Sequence, residues 1–221
     1  MKRLRLAALV ALAADLAATA LVWARLPARA AVHWDLHGHV DRYGSRWELA
    51  LTAPVAQLVL WAVVEILPRI DPRFAGPRDP DATEAERWGT TATVFALAFA
   101  LVAGTQALVL LQALGLLHEP RRGHAILLAV FLLLVGNVIG RVRPGWFAGI
   151  RTPWTLSSDA VWRRTHRLAG RLMVAAGLLA LVLAVALPAG AALAAAMALL
   201  LASVLIPAAL SFLFWRAERT A

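Results

Sequence analysis

The 221-residue sequence contains no cysteine, which excludes a disulfide framework, a thiolate metal site and a cysteine nucleophile. Lysine is almost missing as well: of 22 basic residues only Lys2 is not arginine, a bias that fits a GC-rich bacterial genome. Acidic residues number 13 and leave a formal charge of +9. There is no glycine-rich phosphate loop, no glycine elbow around Ser157, Ser158, Ser203 or Ser211, and no carboxylate pair of hydrolase type. No enzyme chemistry finds its residues here, and no motif asks for a cofactor.

What is present is hydrocarbon. At 61% apolar residues, with runs of about 20, the chain holds more apolar surface than one soluble core can hide. Six stretches, residues 4–26, 49–67, 91–117, 124–140, 172–187 and 191–214, are long enough to cross about 30 Å of hydrocarbon as helices. The expected fold class is therefore all-α, a polytopic membrane protein of six transmembrane helices forming a single domain over residues 1–221. Pro188 and Gly190 make the last connection a tight turn. The linker-like stretch 71–89 reads as a loop followed by a short helix at 82–88, too small to fold alone.

In a soluble chain the positive charge would suggest nucleic acid; here it lies between apolar runs, so the lipid bilayer is the expected partner and no direct contact with nucleic acid is expected. The N-terminus, second loop, fourth loop and C-terminus hold three, four, seven and two basic residues, against four, two and none on the alternate side. Sixteen against six places both termini in the cytoplasm and the first loop outside. The start "MKRLR", an apolar run and Ala28-Arg29-Ala30 resemble a cleavable signal peptide, but the run is long for one and contains Asp15, so the span is expected to stay.

Asp15 falls near the centre of the first span, where a carboxylate costs several kcal/mol unless protonated or paired. Gln57, Gln106 and Gln112 are available partners. A protonated Asp15 locking helices is the favoured reading over a proton or cation path, because no basic residue lies at matching depth. The outer loop "LPARAAVHWDLHGHVDRYGSRW" carries His33, His37 and His39 beside Asp35 and Asp41, donors that could hold Zn²⁺. Gly38 and Gly44 argue instead for turns in a hydrogen-bonded loop docked on the spans, and no metal is assigned. Trp34, Tyr43 and Trp47 are natural anchors for a ligand at that face.

Residues 149–171, "GIRTPWTLSSDAVWRRTHRLAGR", break the apolar pattern. Before them, Gly136 and Gly140 form a small-xxx-small face, Asn137 can hydrogen-bond across helices, and Pro144-Gly145 stops the fourth span. Trp146, Phe147 and Trp154 suit the membrane interface. Ser157 or Ser158 can cap a new helix with Asp159 in its first turn. On that helix Arg163, Arg167 and Arg171 make a basic stripe fit for phosphate oxygens, while Trp162, His166 and Gly170 share a neighbouring face fit for close helix contact. A basic juxtamembrane helix with tryptophan anchors is ordinary topology signal; Thr152-Pro153-Trp154-Thr155 and an inward His166 are not required by it.

Residues 136–177 closely resemble the signature of the SdpI/YfhL family, including Gly-Ile-Arg-Thr-Pro-Trp-Thr-Leu, an acidic residue before Val-Trp, and Thr-His-Arg with Gly three residues on. The matching positions are Asn137, Arg151, Thr152, Pro153, Trp154, Asp159, Trp162, Thr165, His166, Arg167 and Gly170. The first loop is similar to a small domain of unknown function that often precedes the signature, with His33, Trp34, Asp41, Tyr43 and Gly44 on its pattern and Ala31 near the place of a usual second proline. The two regions are set at residues 10–60 and 124–214. The resemblance implies a six-span immunity and signalling protein of the bacterial cytoplasmic (inner) membrane, not an enzyme. It implies protection against a secreted peptide toxin outside that dissipates the proton gradient, and retention of a cytoplasmic repressor protein at the membrane. The alternative from another class is a small proton-coupled secondary transporter centred on Asp15, disfavoured by the lack of an inverted repeat. A third is a structural subunit docking through its small-residue face.

Overall fold

In hydrocarbon a backbone has no water to bond, so each apolar stretch satisfies its own N–H and C=O groups by coiling. The computed structural model describes residues 2–34, 40–70, 84–145 and 148–220. Its long helices are α1 (Lys2–Val22), α2 (Arg46–Ile70), α3 (Glu84–Ala113), α4 (Pro120–Ile139), α6 (Asp159–Ala186) and α7 (Ala189–Thr220), with a short α5 (Pro153–Ser157) before α6. All six long helices are long and apolar enough to cross a membrane. They run in alternating directions, so both termini lie at one end of the bundle.

The first loop adds something the pattern did not announce. Arg29–Trp34 (β1) and Val40–Ser45 (β2) pair as an antiparallel hairpin, with Ala30 opposite Gly44 and irregular register around His33. Alternation is the cause: Ala30 packs with Leu26, Leu49 and Leu110, and Gly44 opposite it is buried beside Val32 and Glu48, while Arg29 and Tyr43 are exposed. Small residues and only two valines, Val32 and Val40, make that alternation weak to read. The expected short helix at 82–88 is described from Glu84, and it joins the third span across a break at Gly89, whose φ of 38° is not helical.

The helices form two layers of contact. In the first half Leu4, Ala8, Val64, Trp88, Phe95 and Phe99 close a core between α1, α2 and α3. In the second, α4 lies on α6 and α6 on α7. There the seam is built of small residues, since association in lipid depends on close van der Waals approach. A Cβ on Gly170 would stand 2.7 Å from the Gly136 carbonyl oxygen, and one on Gly177 2.8 Å from that of Ala129. Ala125, Ala129, Ala180, Ala184, Ala192 and Ala196 extend the seam toward the hairpin end.

Candidate functional site

The fourth span ends where Arg141 and Val142 donate backbone bonds to Val138 and Ile139. The chain then crosses back to α5 and is fastened by two side chains from α6. Trp162 Nε1 donates to the Val142 carbonyl at 2.8 Å. His166 takes the other side of the loop: the Ile150 N–H donates to Nε2 at 2.9 Å, and Nδ1 lies 2.9 Å from the Trp162 carbonyl. Because Nε2 accepts, Nδ1 must carry the proton, so these bonds select the neutral Nδ1–H tautomer. The two rings stack with centroids 4.0 Å apart, and both residues are completely buried. They cannot touch a partner directly; they position what surrounds them.

Gly149 makes this clasp possible. Its φ of 109° is reserved for glycine, and a Cβ there would run into His166 Nε2 and stand 3.1 Å from the Trp162 ring. Beyond it Thr152 caps α5 through a reciprocal pair with Thr155, whose buried hydroxyl also donates to the Ile150 carbonyl at 3.0 Å. Pro153 opens α5 at its first position, where its missing N–H costs nothing. Ser158 caps α6 through the N–H groups of Ala160 and Val161 and donates to Glu218 at 3.0 Å. Thr152 meets Ser211 at 2.9 Å and the Trp154 ring lies 5.1 Å from Phe212, so α5 is tied to the end of α7. The segment 148–158 is thus a braced platform.

The expected residues divide accordingly. Trp162, His166, Thr165 and Gly170 face the interior, Thr165 with a hydroxyl that makes no hydrogen bond among the described residues. Arg151, Pro153, Arg163, Arg164, Arg167 and Arg171 are exposed, and Asp159 stands in the first turn of α6. Asn137 makes no side-chain hydrogen bond to another helix among the described residues: its side chain is exposed, and its backbone carbonyl accepts from Arg141 at 3.1 Å. A side chain one position past the seam glycine Gly136 is turned by about 100° from the face that meets α6, and His166 bonds to Ile150 instead. Trp146 and Phe147 lie outside the described residues. The sequence gives no sign of the roles of Gly149, Ser211 and Glu218, and it marks Thr155 as unexplained by topology without revealing its part; the Thr-x-x-Thr spacing could have revealed the α5 cap, whereas the partners some 60 residues away leave no local signal.

Asp15 is buried and accepts from Gln57 Nε2 at 2.7 Å, joining α1 to α2. Gln106 is used elsewhere, donating to the Leu49 carbonyl at 3.2 Å. At the hairpin end His33 Nδ1 lies 2.6 Å from Asp41, both exposed, across the two strands. Asp35, His37 and His39 lie outside the described residues, as does the Trp34 side chain, and no cluster of three metal-ligating side chains occurs among the described ones. Tyr43 and Trp47 remain largely exposed, Trp47 against Trp23 at 4.5 Å. Between β1, the start of α4 and the start of α7 opens a cavity of about 880 Å³. Its polar lining includes His33, His118, Glu119 and Arg121, and its apolar lining includes Leu193, Met197 and Leu201.

The comparisons with known proteins follow the same two regions. The family model described as the SdpI/YfhL protein family matches residues 141–213, and that described as a domain of unknown function (DUF1648) matches residues 10–58. Immunity protein SdpI of Bacillus subtilis (strain 168) is 35% identical over 54 residues, which cover 24% of this chain and 26% of that protein. The aligned stretch therefore spans about a quarter of that relative's length. No solved structure matches the chain. With six apolar helices and both sequence regions in place, the chain is a multi-pass bacterial inner-membrane protein whose residues 141–213 match the SdpI/YfhL family model, with a DUF1648 match ahead of them.

Proposed function

We propose that this protein is a membrane immunity protein, protecting the cell that makes it against a secreted, membrane-active killing peptide, and that it is not an enzyme. The observation that carries the reading is the cavity at the hairpin end. Its 880 Å³ lies within the range of real ligand sites, and its lining combines imidazole, guanidinium and carboxylate groups with aliphatic side chains. A peptide that acts on membranes has an apolar face and a polar one, and this cavity offers a surface to each. The distribution of basic residues supports placing the hairpin end outside, where such a peptide arrives, and the termini in the cytoplasm. The name of the Bacillus subtilis relative supports the same function.

In the finer reading, the platform at the opposite end docks a cytoplasmic repressor. Arg151, Pro153 and Arg163 supply its exposed face, and Trp162 and His166 keep that face in shape from within. The test is survival of a sensitive bacterium challenged with secreted peptides encoded beside the gene. Cells producing the wild type should survive, and cells producing Ala194→Trp, which fills the cavity, should die at equal membrane abundance. Equal survival would remove the cavity from the mechanism.

A further inference from the structure

At the platform end a second, smaller cavity of about 370 Å³ opens between α6 and α7, lined by Arg164, Arg167, Leu168, Arg171 and Phe214. No carboxylate among the described residues pairs with any of its three guanidinium groups; Arg164 lies over the Phe214 ring at 4.4 Å. Three like charges drawn to one recess without a counter-ion repel one another unless an anion joins them.

The helix face identifies the anion. Arg164, Arg167 and Arg171 share one side of α6, and at the same spacing that side continues as Leu178, Val182 and Val185, exposed by 56%, 63% and 82%. Whatever lies along this face must be anionic at one end and hydrocarbon at the other. Depth agrees: from Leu172 to the end of α6 at Ala186 the helix rises only about 22 Å, less than the roughly 30 Å of hydrocarbon, so Arg171 stands within the margin of the apolar layer at the platform end. A cation there is stabilised by a phosphate drawn down beside it. Trp154, Phe212 and Trp215, ringed around the same end of α7, occupy the level at which aromatic side chains meet headgroups.

We propose that the Arg164–Arg167–Arg171 recess is a binding site for the headgroup phosphate of an anionic glycerophospholipid, whose acyl chains lie along Leu178, Val182 and Val185. The site does not depend on the immunity reading or on the direction of insertion. It is tested on the full-length protein, delipidated in neutral detergent and titrated with phosphatidylglycerol, phosphatidylcholine or inorganic phosphate, with retained lipid read by native mass spectrometry. Arg167→Gln/Arg171→Gln is compared with Arg141→Gln/Arg163→Gln, which removes the same charge from exposed positions that do not line the recess. Phosphatidylglycerol should bind the wild type in preference to phosphatidylcholine, and the recess pair should weaken it by about 30-fold while the control pair changes it by less than about threefold. Equal loss in the two pairs, equal binding of phosphatidylcholine, or displacement of the lipid by millimolar inorganic phosphate would overturn the proposal. Binding of an acidic protein at the recess in place of lipid would do the same.

Discussion

Replacing Gly149 by alanine adds a single methyl group to the clasp and changes the chemistry of no other residue. The added Cβ faces two penalties. A φ of 109° is a strained conformation for any L side chain, costing about 1–3 kcal/mol. The methyl also displaces the His166 ring, so that the buried Ile150 N–H loses its acceptor at a further cost of about 1–3 kcal/mol. Taking the lower ends together, the loop should open at least about 2 kcal/mol more easily, which is roughly a 30-fold larger opening constant. Hydrogen exchange of the Ile150 amide, followed in peptides covering residues 148–158, reads that constant directly. Gly140→Ala is the matched control, because Gly140 has an ordinary helical φ of −64° and its Cβ would meet nothing nearer than 3.4 Å. Exchange in the Gly140 variant should match the wild type within about threefold. If Gly149→Ala exchanged no faster than that control, the clasp would not be what holds the platform.

Three further perturbations separate the remaining contacts. Trp162→Phe keeps a ring on His166 but strands the Val142 carbonyl, and should lower stability by about 1–3 kcal/mol, while Trp162→Ala also opens a cavity and should cost about 3–5 kcal/mol; thermal unfolding in detergent checks both, and a Phe variant as stable as the wild type would deny the hydrogen bond its part. Gly170→Ala should force α4 from α6 at about 1–3 kcal/mol, measured the same way, because its Cβ would press on the Gly136 carbonyl; an unchanged melting temperature would contradict the close approach. Asp15→Asn, which can still accept from Gln57, should leave stability within about 1 kcal/mol, whereas Asp15→Leu should cost about 1–3 kcal/mol by leaving that amide unbonded. In proteoliposomes neither should alter proton flux, and flux abolished by Asp15→Asn would restore the transporter reading.

Much of this was legible in the chain. The spans could be read because a membrane demands about 20 consecutive apolar residues, a long and redundant signal. The α6 cap and the buried face of Trp162, His166 and Gly170 followed from helical spacing. Asn137 did not follow, since its neighbour Gly136 and not Asn137 lies in the seam, and a one-residue step on a helix turns a side chain by about 100°. The hairpin was hidden because Ala, Gly and Val carry little contrast between its two faces. The bonds from Thr152 to Ser211 and from Ser158 to Glu218 were beyond reach, as they depend on how α7 returns across the bundle.

The most direct measurement is a survival assay at matched membrane abundance, with a sensitive bacterium producing the wild type or Trp162→Ala and exposed to secreted peptides encoded beside the gene. The account predicts that the wild type protects and that Trp162→Ala does not, because the platform it braces is lost. Death of cells producing abundant, folded wild-type protein would contradict the immunity function itself.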